Sequence, residues 1–120
     1  MSVSVIIPAL NEENTVAEVV RACLADNPLE VLVIDADSSD ATASRAAAAG
    51  ADVHNWRDIL PEEPRPGKGE SLWRGVAAAK GDIVVFVDAD LESAAPGMVA
   101  ALAAPFSDPA VEMVKARYRR

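Results

Sequence analysis

The residues of this chain best placed to do chemistry are Asp88 and Asp90, at the end of the apolar run Ile83-Val84-Val85-Phe86-Val87. A run of β-branched and aromatic residues predicts a strand buried on both faces, as in a parallel sheet. Two carboxylates where that strand leaves the core are costly unless something cationic sits beside them. A hard divalent ion with a diphosphate on its far side meets that need, because Mg²⁺ and Mn²⁺ prefer oxygen ligands. An acidic solvated turn also fits Asp88-Ala89-Asp90, since this spacing of acids occurs often by chance.

A second group is cationic. In Arg65-Pro66-Gly67-Lys68-Gly69-Glu70, glycines flank a lysine just before a helical pattern. They allow backbone N–H groups to approach an anion, the helix N-terminus adds partial positive charge, and Lys68 adds a point charge for a diphosphate. A glycine-rich turn with a solvated lysine is the plainer alternative. The stretch is not a P-loop, and no G-x-G-x-x-G follows the first strand, so a dinucleotide site has no support.

The elements that must position these groups alternate. Val3 to Ile7 reads as a strand stopped by Pro8, and a helix follows from about Thr15, whose spacing to Glu18 fits a capping box. Val16, Val19, Val20, Cys23 and Leu24 form its inward stripe. Val31 to Ile34 is a second strand, Thr42 to Ala49 a helix with Gly50 at C′, and Ala51 to His54 a short third strand. The irregular stretch from Asn55 to Gly69 has the length of a functional loop. Glu70 to Lys80 reads as a helix with Leu72, Trp73, Val76 and Ala79 packed inward, ended by Gly81. A short helix around Met98 to Ala104 and an apolar segment from Val111 to Val114 follow the fourth strand.

Repeated β-α-β order predicts a parallel sheet with helices on both faces, and ligands bind beyond the carboxyl ends of such strands. Strands one, two and four each run into a polar cluster: Asn11-Glu12-Glu13, Asp35-Ala36-Asp37-Ser38 and Asp88-Ala89-Asp90. The topology gathers all three at one sheet edge. That convergence is stronger evidence for a site than any single cluster.

Composition narrows the partners. In 120 residues, 51% are hydrophobic and 25% charged, which predicts one globular domain or part of one. The net charge of −8 argues against nucleic acid or an anionic membrane as the main partner. The single Cys23 excludes an intramolecular disulfide and falls in the helical stripe, as a core thiol rather than a nucleophile. No apolar run reaches the ~18 residues of a membrane span, and the first residues lack a signal-peptide layout, so a cytoplasmic protein is expected.

Three blocks, Val5-Ile6-Ile7-Pro8-Ala9-Leu10-Asn11-Glu12-Glu13, Ile34 to Thr42 and Val87-Asp88-Ala89-Asp90, resemble the nucleotide-sugar half of family 2-like GT-A glycosyltransferases. Within that family, Pro61 to Arg74 with Val114 to Arg120 resembles the glucosyl- and mannosyl-3-phosphoglycerate synthases. The resemblance covers essentially the whole chain. It implies a three-layer, Rossmann-like α/β fold with mainly parallel strands in the order 3-2-1-4. The implied reaction is transfer of glucose or mannose from a nucleotide diphosphate (UDP-glucose before GDP-mannose) to 3-phosphoglycerate, with retention.

The resemblance also implies roles. Pro8, Ala9, Leu10, Asn11 and Glu12 would cradle base and ribose, and Asp37 and Ser38 would contact the nucleotide. Gly67 and Lys68 would face base or phosphates, Asp88 and Ala89 would lie near the ribose, and Asp90 with Asp88 would ligate Mg²⁺ or Mn²⁺. Relatives of this kind are much longer, and their later part supplies most of the acceptor site and a further metal ligand, often His. The lone His54 is expected to be a structural or surface residue rather than a ligand. Residues 1–120 thus read as a donor half without its acceptor half, with self-association, as a dimer, expected through the Val111–Val114 edge. A nucleotidyltransferase, another family 2-like transferase and a nucleotide-sugar-binding fragment without turnover are the alternatives. Nucleotidyltransferases usually carry a Gly-rich, Arg-containing loop where this chain has Pro8-Ala9-Leu10-Asn11-Glu12.

Overall fold

The computed structural model describes residues 2–107. Four strands, β1 (Val3–Ala9), β2 (Glu30–Asp35), β3 (Asp52–Asn55) and β4 (Ile83–Phe86), form one sheet in the order β3-β2-β1-β4. Every pairing is parallel, as expected. The helices are α1 (Val16–Leu24), α2 (Thr42–Ala48), α3 (Lys68–Ala78) and α4 (Met98–Ala103), with 3₁₀ turns at Trp56–Asp58 and Ala104–Ser107.

Strand alternation makes two cores. Val5, Ile7, Val31, Val33 and Val85 point to the face covered by α1, α2 and α4, where Val16, Val19, Val20, Cys23, Ala46 and Val99 meet them. Ile6, Leu32 and Ile34 point to the opposite face, with Trp56, Ala78 and Ala79. The result is the expected three-layer α/β arrangement. Burial on both faces explains why the middles of β1 (Val5–Ile7) and β2 (Val31–Ile34) read as continuous apolar runs rather than alternating ones.

Three local expectations are corrected. Pro8 does not stop β1, which continues to Ala9 in register with Asp35. Ile6 C=O accepts from Val87 N–H on the β4 side, and Ala9 C=O accepts from Ala36 N–H on the β2 side. Alternation then turns the missing donor of Pro8 toward β4, whose ladder has already ended at Ile6–Phe86. Thr15 makes no side-chain cap; its hydroxyl donates instead to Ala89 C=O at 2.8 Å. This bond ties the start of α1 to the turn after β4.

The third correction concerns α3. It starts two residues earlier than expected, and its buried face is Ser71, Arg74 and Gly75, while Trp73 (65% exposed) and Val76 (42%) face outward. A Cβ built on Gly75 would lie 2.4 Å from Ile6 Cγ2, so only glycine permits this approach to the sheet. Arg74 faces inward because the loop before α3 presents carbonyls there. The side with the shortest residue and the needed donor won over the apolar stripe. Gly50 follows α2 with φ +109°, as the sequence predicts. The Val111–Val114 segment and its edge lie outside the described residues.

Candidate functional site

In the order β3-β2-β1-β4, the chain leaves β1 toward β2 on one side, while β4 lies on the other. Connections diverge at the carboxyl ends of β1 and β4 and open a crevice, the usual ligand position in such sheets. A cavity of about 310 Å³ occupies it. Pro8, Ala9, Leu10 and Glu12 line it from the end of β1, and Asp88, Ala89 and Asp90 from the end of β4. Gly67, Lys68 and Ser71 enter from the start of α3, and Ala36 and Trp56 from the ends of β2 and β3.

Gly67, just before α3, has φ +118° and ψ 158°, a region essentially restricted to glycine. That turn carries Lys68 into the first helical position, where its ammonium pairs with the Asp88 carboxylate. Burial raises the Glu12 pKa above its ordinary value, and the carboxylates of Asp90, Asp40 and Asp88 raise it further. Three acids, Glu12, Asp88 and Asp90, therefore share one field, with Lys68 as the cavity's lysine. Their oxygens suit a hard divalent cation. Among the described residues, no group of three His, Cys, Asp or Glu side chains could by itself enclose a metal.

The expected residues divide into two sets. Pro8, Ala9, Leu10, Glu12, Gly67, Lys68, Asp88, Ala89 and Asp90 come together in the cavity lining; Asn11, Asp37 and Ser38 are not part of it. Asn11 and Ser38 instead join the loops after β1 and β2. Asn11 N–H donates to Ser38 Oγ at 2.9 Å, and Asn11 Oδ1 accepts from Ser39 N–H at 2.9 Å. Both Asn11 (φ 54°) and Asp37 (φ 60°) hold left-handed backbone, which short polar side chains tolerate best. Thr42 Oγ1 accepts from Glu12 N–H at 2.8 Å, and Glu13 accepts from Ala41 N–H at 2.8 Å, so the start of α2 fixes the acidic loop.

Asp37 accepts from Asn55 Nδ2 at 3.0 Å and from Arg57 Nε at 2.7 Å. Its pKa is lowered by Asn55, the nearby Trp56 indole and Arg57. The Trp56 N–H itself makes no hydrogen bond of ordinary geometry. His54 lies on β3 opposite Ile34, apart from the cavity lining.

Sequence reasoning missed Trp56, Ser71 and Arg74. The strand-end rule pointed to Trp56, directly after β3, but an indole does not resemble a polar cluster. Ser71 lies one helical turn beyond Lys68, so spacing alone could have found it. Arg74 is buried, at 1% exposed, and was hidden inside an apparently amphipathic pattern.

The glycosyl transferase family 2 model matches residues 4–120. A glucosyl-3-phosphoglycerate synthase of Mycolicibacterium paratuberculosis is 48% identical over 124 residues, covering 99% of this chain and 38% of that protein. The enzyme of that name from Petrotoga mobilis is 41% identical over 131 residues, covering 100% of this chain and 39% of its own. The solved glucosyl-3-phosphoglycerate synthase of Mycobacterium tuberculosis with Mn²⁺, UDP-glucose and phosphoglyceric acid superposes with a TM-score of 0.81 at 48% identity. That match covers 88% of this chain and 39% of the other.

The chain belongs to glycosyl transferase family 2, which decides against the nucleotidyltransferase alternative. It spans about two-fifths of the length of these relatives. Among the described residues, no helix is long and apolar enough to cross a membrane.

Proposed function

We propose that residues 1–120 form the donor-binding part of a metal-dependent glucosyltransferase acting on 3-phosphoglycerate. The observation that carries this reading is the crevice at β1 and β4, where Glu12, Asp88 and Asp90 face Lys68 around one cavity. The relatives named for this reaction support it, as does the related structure that holds Mn²⁺, UDP-glucose and phosphoglyceric acid.

In this reading Pro8, Ala9, Leu10, Gly67 and Ala89 hold the base and ribose, and Lys68 leaves Asp88 to meet the diphosphate. Asn11, Asp37 and Ser38 act behind this wall, by fixing the loops after β1 and β2. Asp90, with Asp88, holds Mg²⁺ or Mn²⁺. The bound cation supplies Lewis-acid stabilisation of charge on the departing diphosphate. The acceptor hydroxyl oxygen of 3-phosphoglycerate bonds to the anomeric carbon as the sugar–phosphate bond breaks. Its proton is released, UDP departs, and the anomeric configuration is retained.

Calorimetry with UDP-glucose and GDP-mannose, with and without Mn²⁺, tests the reading. UDP-glucose should bind in a metal-assisted way, and Asp90→Ala should abolish the metal-dependent part. An unchanged Asp90→Ala titration would sink the assignment, and preference for GDP-mannose would move it to mannosyl transfer. UDP release in the presence of 3-phosphoglycerate separates turnover by this chain from donor binding alone.

A further inference from the structure

Arg74 is the most deeply buried cation among the described residues, at 1% exposed, yet it lies one turn behind the cavity wall. Its guanidinium is committed in four directions. Nε donates to Glu70 Oε1 at 2.9 Å, and Nη1 donates to Trp56 C=O at 2.8 Å and Leu60 C=O at 3.2 Å. Nη2 donates to Glu62 C=O at 2.6 Å. Three of these acceptors are backbone carbonyls of the segment between β3 and α3. Trp56 within it is a wall of the cavity, and Glu70 sits in the first turn of α3, two residues after Lys68.

A planar fork suits this task because one rigid group reaches several acceptors spread along an irregular loop. The cost of burying its charge is offset by one carboxylate and three carbonyl dipoles. Ser71, one turn before Arg74 on the same buried face, faces the cavity. Arg74 thus ties Trp56, on the cavity wall, to the helix that carries Lys68 and Ser71, without itself lining the cavity.

We propose that Arg74 is a positioning residue for the donor site: it clamps the Trp56–Glu62 segment to α3 and so pre-forms the wall against which a nucleoside diphosphate binds. This rests on the nucleotide reading of the cavity. Pre-forming the wall spares the ligand the cost of ordering the loop, so the clamp acts on affinity. Lysine cannot replace it, since a single ammonium cannot span four acceptors in a plane.

The test is titration of UDP with Mn²⁺ into the wild-type chain, Arg74→Lys and Glu70→Gln, with amide hydrogen exchange followed along each chain. Arg74→Lys should weaken UDP at least about tenfold and Glu70→Gln about threefold. In both, amides of residues 57–67 should lose protection while those of β1 and β2 keep theirs, and UDP should restore loop protection only in wild type. If wild type binds no UDP, the nucleotide reading falls and this inference falls with it. If wild type binds but both variants stay within about twofold of it, Arg74 alone is overturned. Loss of protection in β1 and β2 of Arg74→Lys, with Glu70→Gln unchanged, likewise makes Arg74 a folding residue only.

Discussion

Replacing Gly75 by alanine sets two known effects against each other, and the geometry decides which wins. A methyl group there lies 2.4 Å from Ile6 Cγ2, 3.1 Å from Ile6 Cδ1 and 3.3 Å from Ile34 Cγ1. The first distance is more than an ångström inside the about 3.5–4.0 Å at which carbons attract. Ile6 cannot swing aside easily, because a β-branched side chain is stiff at χ1 and Ile6 is fully buried on a central strand. Overpacking of this kind costs about 1–3 kcal/mol, and the severity of the overlap puts this case in the upper half of that range.

Alanine in a helix interior returns about 1 kcal/mol relative to glycine. The net loss should be about 1–2 kcal/mol, a fall in Tm of about 4–8 °C for a chain of this size. Urea unfolding of wild type, Gly75→Ala, Ile6→Leu and the double variant measures it. Leucine lacks the branch methyl nearest the new group, so the double variant should be less destabilised than the sum of the single ones. A Gly75→Ala chain more stable than wild type, or strict additivity, would refute the close-contact account. A lifted α3 should also weaken UDP binding, because Lys68 and Ser71 ride on it.

Thr15→Val should cost about 1 kcal/mol by leaving Ala89 C=O without its donor, whereas Thr15→Ser should cost little; equal losses in urea unfolding would argue against this bond. Asp37 has a folded pKa below its ordinary 3.8, so the unfolded chain binds the proton more tightly. Its stabilisation is therefore complete above that value and lost as pH falls through the lower folded pKa. Asp37→Asn should flatten this part of the acid limb, read from urea midpoints, and a limb of unchanged slope would exclude the role. Cys23 is fully buried with its pKa pushed up to about 12, so a thiol reagent at mildly alkaline pH should react with unfolded chain only. Rapid labelling of the folded chain would contradict its place in the core.

Local rules were enough wherever one force dominates. Val5–Ile7, Val31–Ile34 and Ile83–Val87 are apolar without interruption, which strands covered on both faces tolerate best, and the parallel order follows from the alternation with helices. Once the strands are parallel, residues after β1 and β4 must share an edge, so Glu12, Asp88 and Asp90 were legible as neighbours before any coordinates. Gly67 and Lys68 were legible for a related reason, since their residue types matter through local backbone geometry.

Tertiary structure decided the rest where a contact had no local signature. The face that α3 buries was set by how closely Gly75 can approach Ile6, against a stripe containing Trp73 and Val76 that pointed the other way. Thr15 has the spacing of a cap but finds Ala89 C=O, 74 residues away, in better reach. Asn11 and Ser38 stood in motifs that pointed at the ligand, and the bond that joins them across the loops after β1 and β2 had no local signature. Trp56, Ser71 and Arg74 gained their places only when α3 packed on β1 and β2 and met the segment that follows β3. Hydrophobic periodicity is carried by neighbours in the chain, whereas a hydrogen bond between distant loops exists only after the chain has folded.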